Sequence, residues 1–217
     1  MFRTRLAIKK GKGNVGQSKV VHENESGENS LKYISILASL VLLPFVAAAQ
    51  VTNVESEGNL APTHDVQCVT IKEAKNQFTP ADLAVAVVRC GKQKQYDKAI
   101  ELFILMQLRS VYDTKRVEDR TAHQAGQVLA LQIRNALGKS RMDKIAAAND
   151  RFGGNGSPRH NAFCAEVKRT GPPNYHPTYM IQHGMSAFTG RKGNGIVKGF
   201  RPQKVWSDLL ANYMKCG

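Results

Sequence analysis

Residues 33–49, YISILASLVLLPFVAAA, divide the chain more sharply than any other feature. These seventeen uncharged residues follow Lys32, are richest in Ile, Leu and Val at their centre, and close on Pro44 and the triplet Ala47, Ala48 and Ala49. A basic flank, an apolar centre and an Ala-x-Ala end make the pattern of a secretory signal peptide, in which small side chains fit the peptidase groove. As a helix the run would reach about 25 Å, short of the roughly 30 Å hydrocarbon core of a bilayer, and Pro44 breaks it before the alanines. Cleavage between Ala49 and Gln50 is therefore expected, and the fold must be sought after it. The cleavage point carries no cysteine, so a lipid anchor of the kind attached there has no acceptor.

Residues 1–30 are polar, mixed in charge and without periodicity, and composition changes abruptly at Leu31. We read them as an upstream extension or a long n-region, with translation starting at Leu31. Gly11, Gly13 and Gly16 fit G-x-G-x-x-G, but neither a strand before them nor an amphipathic helix after them is visible, which that phosphate-binding turn requires.

All four cysteines, Cys68, Cys90, Cys164 and Cys216, lie beyond the cleavage site, and an even number in an exported chain predicts two disulfides. Three connectivities are open to four cysteines. Cys68 with Cys90 and Cys164 with Cys216 is preferred here, because each pair then closes a local loop, for about 3 and 4 kcal/mol in the loop-entropy treatment. No C-x-x-C pair is present, and only His160 and Cys164 stand at a spacing that a metal could use, so no metal site is expected.

The chain carries 42% apolar residues and 7% aromatics, which suffices for a core and excludes a disordered, collagenous or polytopic membrane protein. Residues 50–65 read as a flexible leader, and residues 66–217 as a single mainly α domain. Thr79 is placed to cap a helix that has Pro80 at its first position, Asp82 in its first turn and Gly91 as a left-handed stop. Further helices are expected over 96–112, 118–137, 141–149, 161–168 and 177–183, with a closing helix over 202–215 whose Val205, Trp206, Leu209, Leu210 and Tyr213 face the core. Gly153, Gly154, Gly156, Gly171, Pro172 and Pro173 make the C-terminal half loop-rich.

The stretch Gln95, Tyr96, Asp97, Lys98, Ala99, Ile100, Glu101, Leu102 and Phe103 resembles the second helix of a tetratricopeptide or Sel1-like hairpin, with an aromatic at its start and an alanine that lets a partner helix approach. The resemblance covers residues 80–109 and implies a helical-hairpin scaffold of the kind that binds other proteins. Val87 and Arg89 depart from the small residues of that pattern, and no repeat at 34 residues follows.

Two groups of side chains bear on function. His160, Glu166, His176 and His183 fall within 24 residues, and convergence of His176, His183 and Glu166 would supply the acid and base of an envelope hydrolase. Basic residues concentrate after Asp150, ten against two acids, with Arg191, Lys192, Lys198, Arg201 and Lys204 around a glycine-rich loop and the start of the last helix, where an anion would fit. The formal charge of +14 falls to +10 when residues 1–49, with seven basic and three acidic side chains, are removed. No nucleic-acid-binding motif accompanies these cations, and the compartment argues against such a partner. The expected protein is therefore periplasmic or secreted, without a cofactor, and binds an envelope protein or an anionic envelope polymer. Intact-mass analysis of the exported protein should give a chain beginning at Gln50, with no peptide from residues 1–30 in the cell; a retained residue 33–49 segment would contradict the cleavage.

Overall fold

In a computed structural model the structure describes residues 55–190 and 193–217. The expected signal peptide, the upstream extension, Arg191 and Lys192 lie outside these residues. Six α-helices follow in order: α1 (Pro80–Lys92), α2 (Tyr96–Arg116), α3 (Ala125–Phe152), α4 (Pro158–Thr170), α5 (Thr178–Ile181) and α6 (Pro202–Asn212), with 3-10 turns at Arg120–Gln124 and Met185–Ala187. The described residues contain no β-strand, only one isolated antiparallel bridge between Val117 and Ile196.

Helix α1 begins as its sequence dictates. Thr79 Oγ1 accepts from the Asp82 backbone N–H, and the Asp82 side chain accepts from the Thr79 N–H at 2.7 Å, a reciprocal cap that satisfies two otherwise orphaned donors. Its end differs from expectation. Gly91 is helical, and the left-handed residue is Lys94, at φ 61° in the turn to α2. Glycine is required at 91 for another reason: a Cβ there would stand 2.8 Å from both Leu137 methyls, so its absence lets α3 press against α1.

Helix α2 is the central element, packing against α1, α3 and α6. Its Leu102, Leu105, Met106, Leu108 and Tyr112 are buried. It runs one turn beyond the expected Tyr112, because Asp113 and Arg116, polar residues that read as a helix end, are buried and paired there. Helix α3 starts at Ala125 rather than Glu118, since Asp119 caps a 3-10 turn first. The break expected between two helices survives as Gly138, whose φ of 69° and ψ of 169° interrupt α3. Ser157 caps α4 through the His160 N–H, with Pro158 at its first position, so α4 begins three residues before the expected 161. Helix α5 is a single turn, and α6 ends at Asn212, three residues short of expectation. Trp206 of α6 and Phe200 both meet the Tyr112 ring edge to face, at 5.6 and 5.5 Å between centroids, which docks the C-terminal helix on α2.

The two disulfides are Cys68–Cys90 and Cys164–Cys216, with Cα separations of 4.8 and 5.4 Å. The first ties the segment before α1 to the end of that helix, and the second ties α4 to the C-terminus. Among the described residues, contacts of the N-terminal segment are present from Ser56, earlier than the expected residue 66. Ser56 Oγ donates to Gln182, the Leu60 N–H to the Tyr179 carbonyl, and the Thr63 and His64 N–H groups to Asp82 Oδ1 at 2.6 and 2.8 Å. The buried Asp82 carboxylate thus serves both the cap of α1 and the approach to it. Asp82→Ala leaves three backbone donors without this acceptor and should cost about 3 kcal/mol in denaturant unfolding, against about 1 kcal/mol for Thr79→Ala. Equal losses in the two variants would show that Asp82 acts only as a helix cap.

Candidate functional site

The polar chemistry of the interior centres on Asp113, which is fully buried on α2. Its Oδ1 accepts from Arg116 Nε at 2.7 Å, one turn further along, and its Oδ2 accepts from the hydroxyls of Tyr175 and Tyr179, both at 2.9 Å. Arg116 completes the group. It donates to the Tyr175 carbonyl at 2.9 Å, and its guanidinium lies over the rings of Tyr112 and Tyr175, 5.0 and 4.8 Å from their centroids. Burial pushes the Asp113 carboxyl upward, opposed by the Arg116 charge and the three hydrogen-bonding partners. Burial also raises both tyrosines well above their ordinary value, so that they remain hydroxyl donors. This closed arrangement has its polar atoms directed at one another, and what it accomplishes is to hold residues 175–179 against α2.

A second carboxylate fastens the next segment. Asp119 Oδ1 accepts from the Thr121 N–H at 2.9 Å and from its hydroxyl at 2.6 Å, while Oδ2 accepts from the Ser186 N–H at 2.8 Å. Thr121 Oγ1 in turn accepts from the Met185 N–H at 2.8 Å. Gly184 makes room for this, because a Cβ there would fall 2.4 Å from Asp119 Oδ2. Partial burial works to raise the Asp119 pKa, but the bonds from Thr121 and Ser186 outweigh it and hold the carboxyl at about 2. Nearby, the Glu118 N–H donates to the Gly195 carbonyl and the Val197 N–H to the Arg116 carbonyl.

The residues singled out in the sequence occupy separate places. His176 bonds to Thr178 Oγ1 at 2.9 Å and to the Asn194 carbonyl at 3.1 Å. His183 Nδ1 bonds to Asn59 Oδ1 at 2.9 Å, so the ring proton sits on Nδ1, and burial lowers its pKa and favours the neutral ring. Glu166 pairs with Arg169 on α4. His176, His183 and Glu166 do not form a group with donor atoms within metal-ligand reach of one another; among the described residues the group that does is His160, Cys164 and Cys216, within 4.8 Å. There the sulfurs are joined as a disulfide, and His160 accepts from the Gly156 N–H and donates from Nε2 to the Met214 carbonyl at 2.8 Å. The ring therefore braces the C-terminal segment beside the disulfide.

Of the expected basic surface, Lys198 and Arg201 are exposed and make no ion pair, whereas Lys204 is paired with Asp208 at 2.8 Å on α6. Asp113 and Asp119 were not among the residues selected from sequence. The available signal was Tyr175 and Tyr179 at helical spacing, whose hydroxyls need acceptors when buried. Compared with protein-family models, with curated proteins and with solved structures, the chain matches none.

The folded pKa of Asp119 lies below the ordinary 3.8, so its contribution to stability is full above that value and is lost as pH falls toward 2. Unfolding midpoints measured between pH 5 and pH 2 should fall less steeply for Asp119→Asn than for the unaltered chain; parallel curves would contradict this assignment.

Proposed function

We propose that this chain is an exported binding or accessory protein of the bacterial cell envelope, acting by contact with an envelope protein or an anionic envelope polymer. The observation that supports the reading is that Lys198 and Arg201, in the basic stretch, are exposed and make no ion pair, whereas His176, His183 and Glu166 are engaged in internal bonds. In the sequence, Arg191 and Lys192 add to the same basic stretch, with Lys204 at its border. Two disulfides suit an oxidising compartment, and no described helix is long and apolar enough to cross a membrane.

On this reading the protein resides in the periplasm or is secreted after cleavage at Ala49, and needs no cofactor. The adjacent α1 and α2 serve as a tetratricopeptide or Sel1-like scaffold, an arrangement that suits an immunity-type or accessory role. One disulfide ties the approach to this scaffold to the end of α1 and the other ties the C-terminus to α4, so that the basic region lies on a chain fastened on both sides of it.

Replacing Arg191, Lys192, Lys198, Arg201 and Lys204 by glutamate should abolish retention of the protein on washed envelope fractions at about 0.15 M salt, while leaving its helical circular dichroism unchanged. Unaltered retention of the five-fold variant would overturn the reading.

A further inference from the structure

Among the described residues, five large apolar side chains are well exposed, and three of them fall within residues 185–197: Met185 at 60%, Phe188 at 45% and Val197 at 40%. The structure fastens the backbone on both sides of these residues to one short segment. The Met185 and Ser186 N–H groups are bonded to Thr121 and Asp119, and the Val197 N–H to the Arg116 carbonyl, so both flanks of the intervening loop are fastened to the single segment 116–121. Exposed cations without ion-pair partners accompany these anchor points in the chain: Arg120 within that segment, Lys115 immediately before it, and Lys198 after Val197. The sequence adds Arg191 and Lys192 between the two flanks.

A hydrophilic polyanion offers nothing to a methionine and a phenylalanine held out in water. A lipid surface with anionic headgroups offers partners to both components, apolar side chains entering the headgroup–acyl boundary while lysine and arginine remain at the phosphates. The arrangement is also suited to it mechanically, since both flanks are pinned and Met185, Phe188 and Val197 are not among the residues of the core cluster. We infer that this surface, held on segment 116–121, docks on an anionic phospholipid bilayer through Met185, Phe188 and Val197, with Lys198, Lys115 and Arg120 facing the headgroups. This inference rests on the binding reading above and names the partner of the same basic region. It makes the protein peripheral to a membrane without spanning it.

The test is vesicle sedimentation with the chain as recovered from the producing cell, using phosphatidylcholine vesicles with and without about one third phosphatidylglycerol, and soluble dextran sulfate as a second probe. Binding to the anionic vesicles should exceed binding to pure phosphatidylcholine at least about tenfold. It should drop about tenfold in Lys198→Glu/Arg120→Glu, and by a similar factor in Met185→Ser/Phe188→Ser, whose side chains are exposed and not among the core cluster. In Phe188→Trp, emission should shift to the blue on adding anionic vesicles, against the constant background of the single native Trp206, which is buried. Vesicle binding that is unaffected by Met185→Ser/Phe188→Ser, with no shift in Phe188→Trp, would overturn lipid docking. If dextran sulfate is still bound in that case, the wider reading of a polyanion-binding envelope protein stands; if neither probe is bound, only an envelope protein remains as the partner of the basic region.

Discussion

The carboxyl of Asp113 is the point on which the C-terminal half of this fold depends. Its two oxygens take a guanidinium from its own helix and two phenol hydroxyls from Tyr175 and Tyr179, 62 and 66 residues further along the chain. Removing a carboxyl and a guanidinium from water is costly, and a pair of this kind is a weak source of stability. What it supplies is selectivity of arrangement. The carboxyl is satisfied only when Tyr175 and Tyr179 both reach it, and Arg116 only when the Tyr175 carbonyl and ring lie over it. A shifted register of residues 175–179 would leave a buried charge short of donors, so competing packings of this loop-rich region are disfavoured.

Around that centre the remaining fasteners act in series along the chain. Asp82 secures the approach to α1, Asp119 secures residues 184–186, the backbone bonds at 116–118 secure residues 195–197, and His160 with the Cys164–Cys216 disulfide secures the C-terminus. Each of these carboxylates or rings joins segments far apart in sequence, and each satisfies two or more backbone groups. The region after α4 has little regular structure of its own, so its backbone donors and acceptors must find such partners. The exposure of Met185, Phe188 and Val197 follows from the same arrangement: with the backbone on either side fastened to α2 and the turn after it, these three side chains are left outside the core.

How much of this could be read in the sequence divides along a physical line. Helix starts were legible where the cap is local, as with Thr79, Pro80 and Asp82, and the pairing of Cys68 with Cys90 and Cys164 with Cys216 followed from locality. The core face of α6 was legible in Trp206, Leu209 and Leu210 because apolar periodicity records burial, but Tyr213, read onto the same face, is exposed. Features set by tertiary contact were not. Gly91 reads as a helix stop but is a contact site for Leu137; Asp113 and Arg116 read as the polar end of α2 but lie inside. Histidines and acids close together in sequence invited a joint site, whereas the fold gives His176, His183 and Glu166 separate partners. The basic cluster was visible as composition, but the pairing of Lys204 with Asp208 and the freedom of Lys198 and Arg201 required the structure.

Hydrogen–deuterium exchange of the Tyr175→Phe/Tyr179→Phe variant tests the central role of Asp113 most directly, because it removes two donors and no packing volume. The account predicts faster exchange across residues 175–197, with protection retained in α1 and the first turns of α2. Unchanged exchange across residues 175–197, or a uniform loss of protection over the whole chain, would contradict it.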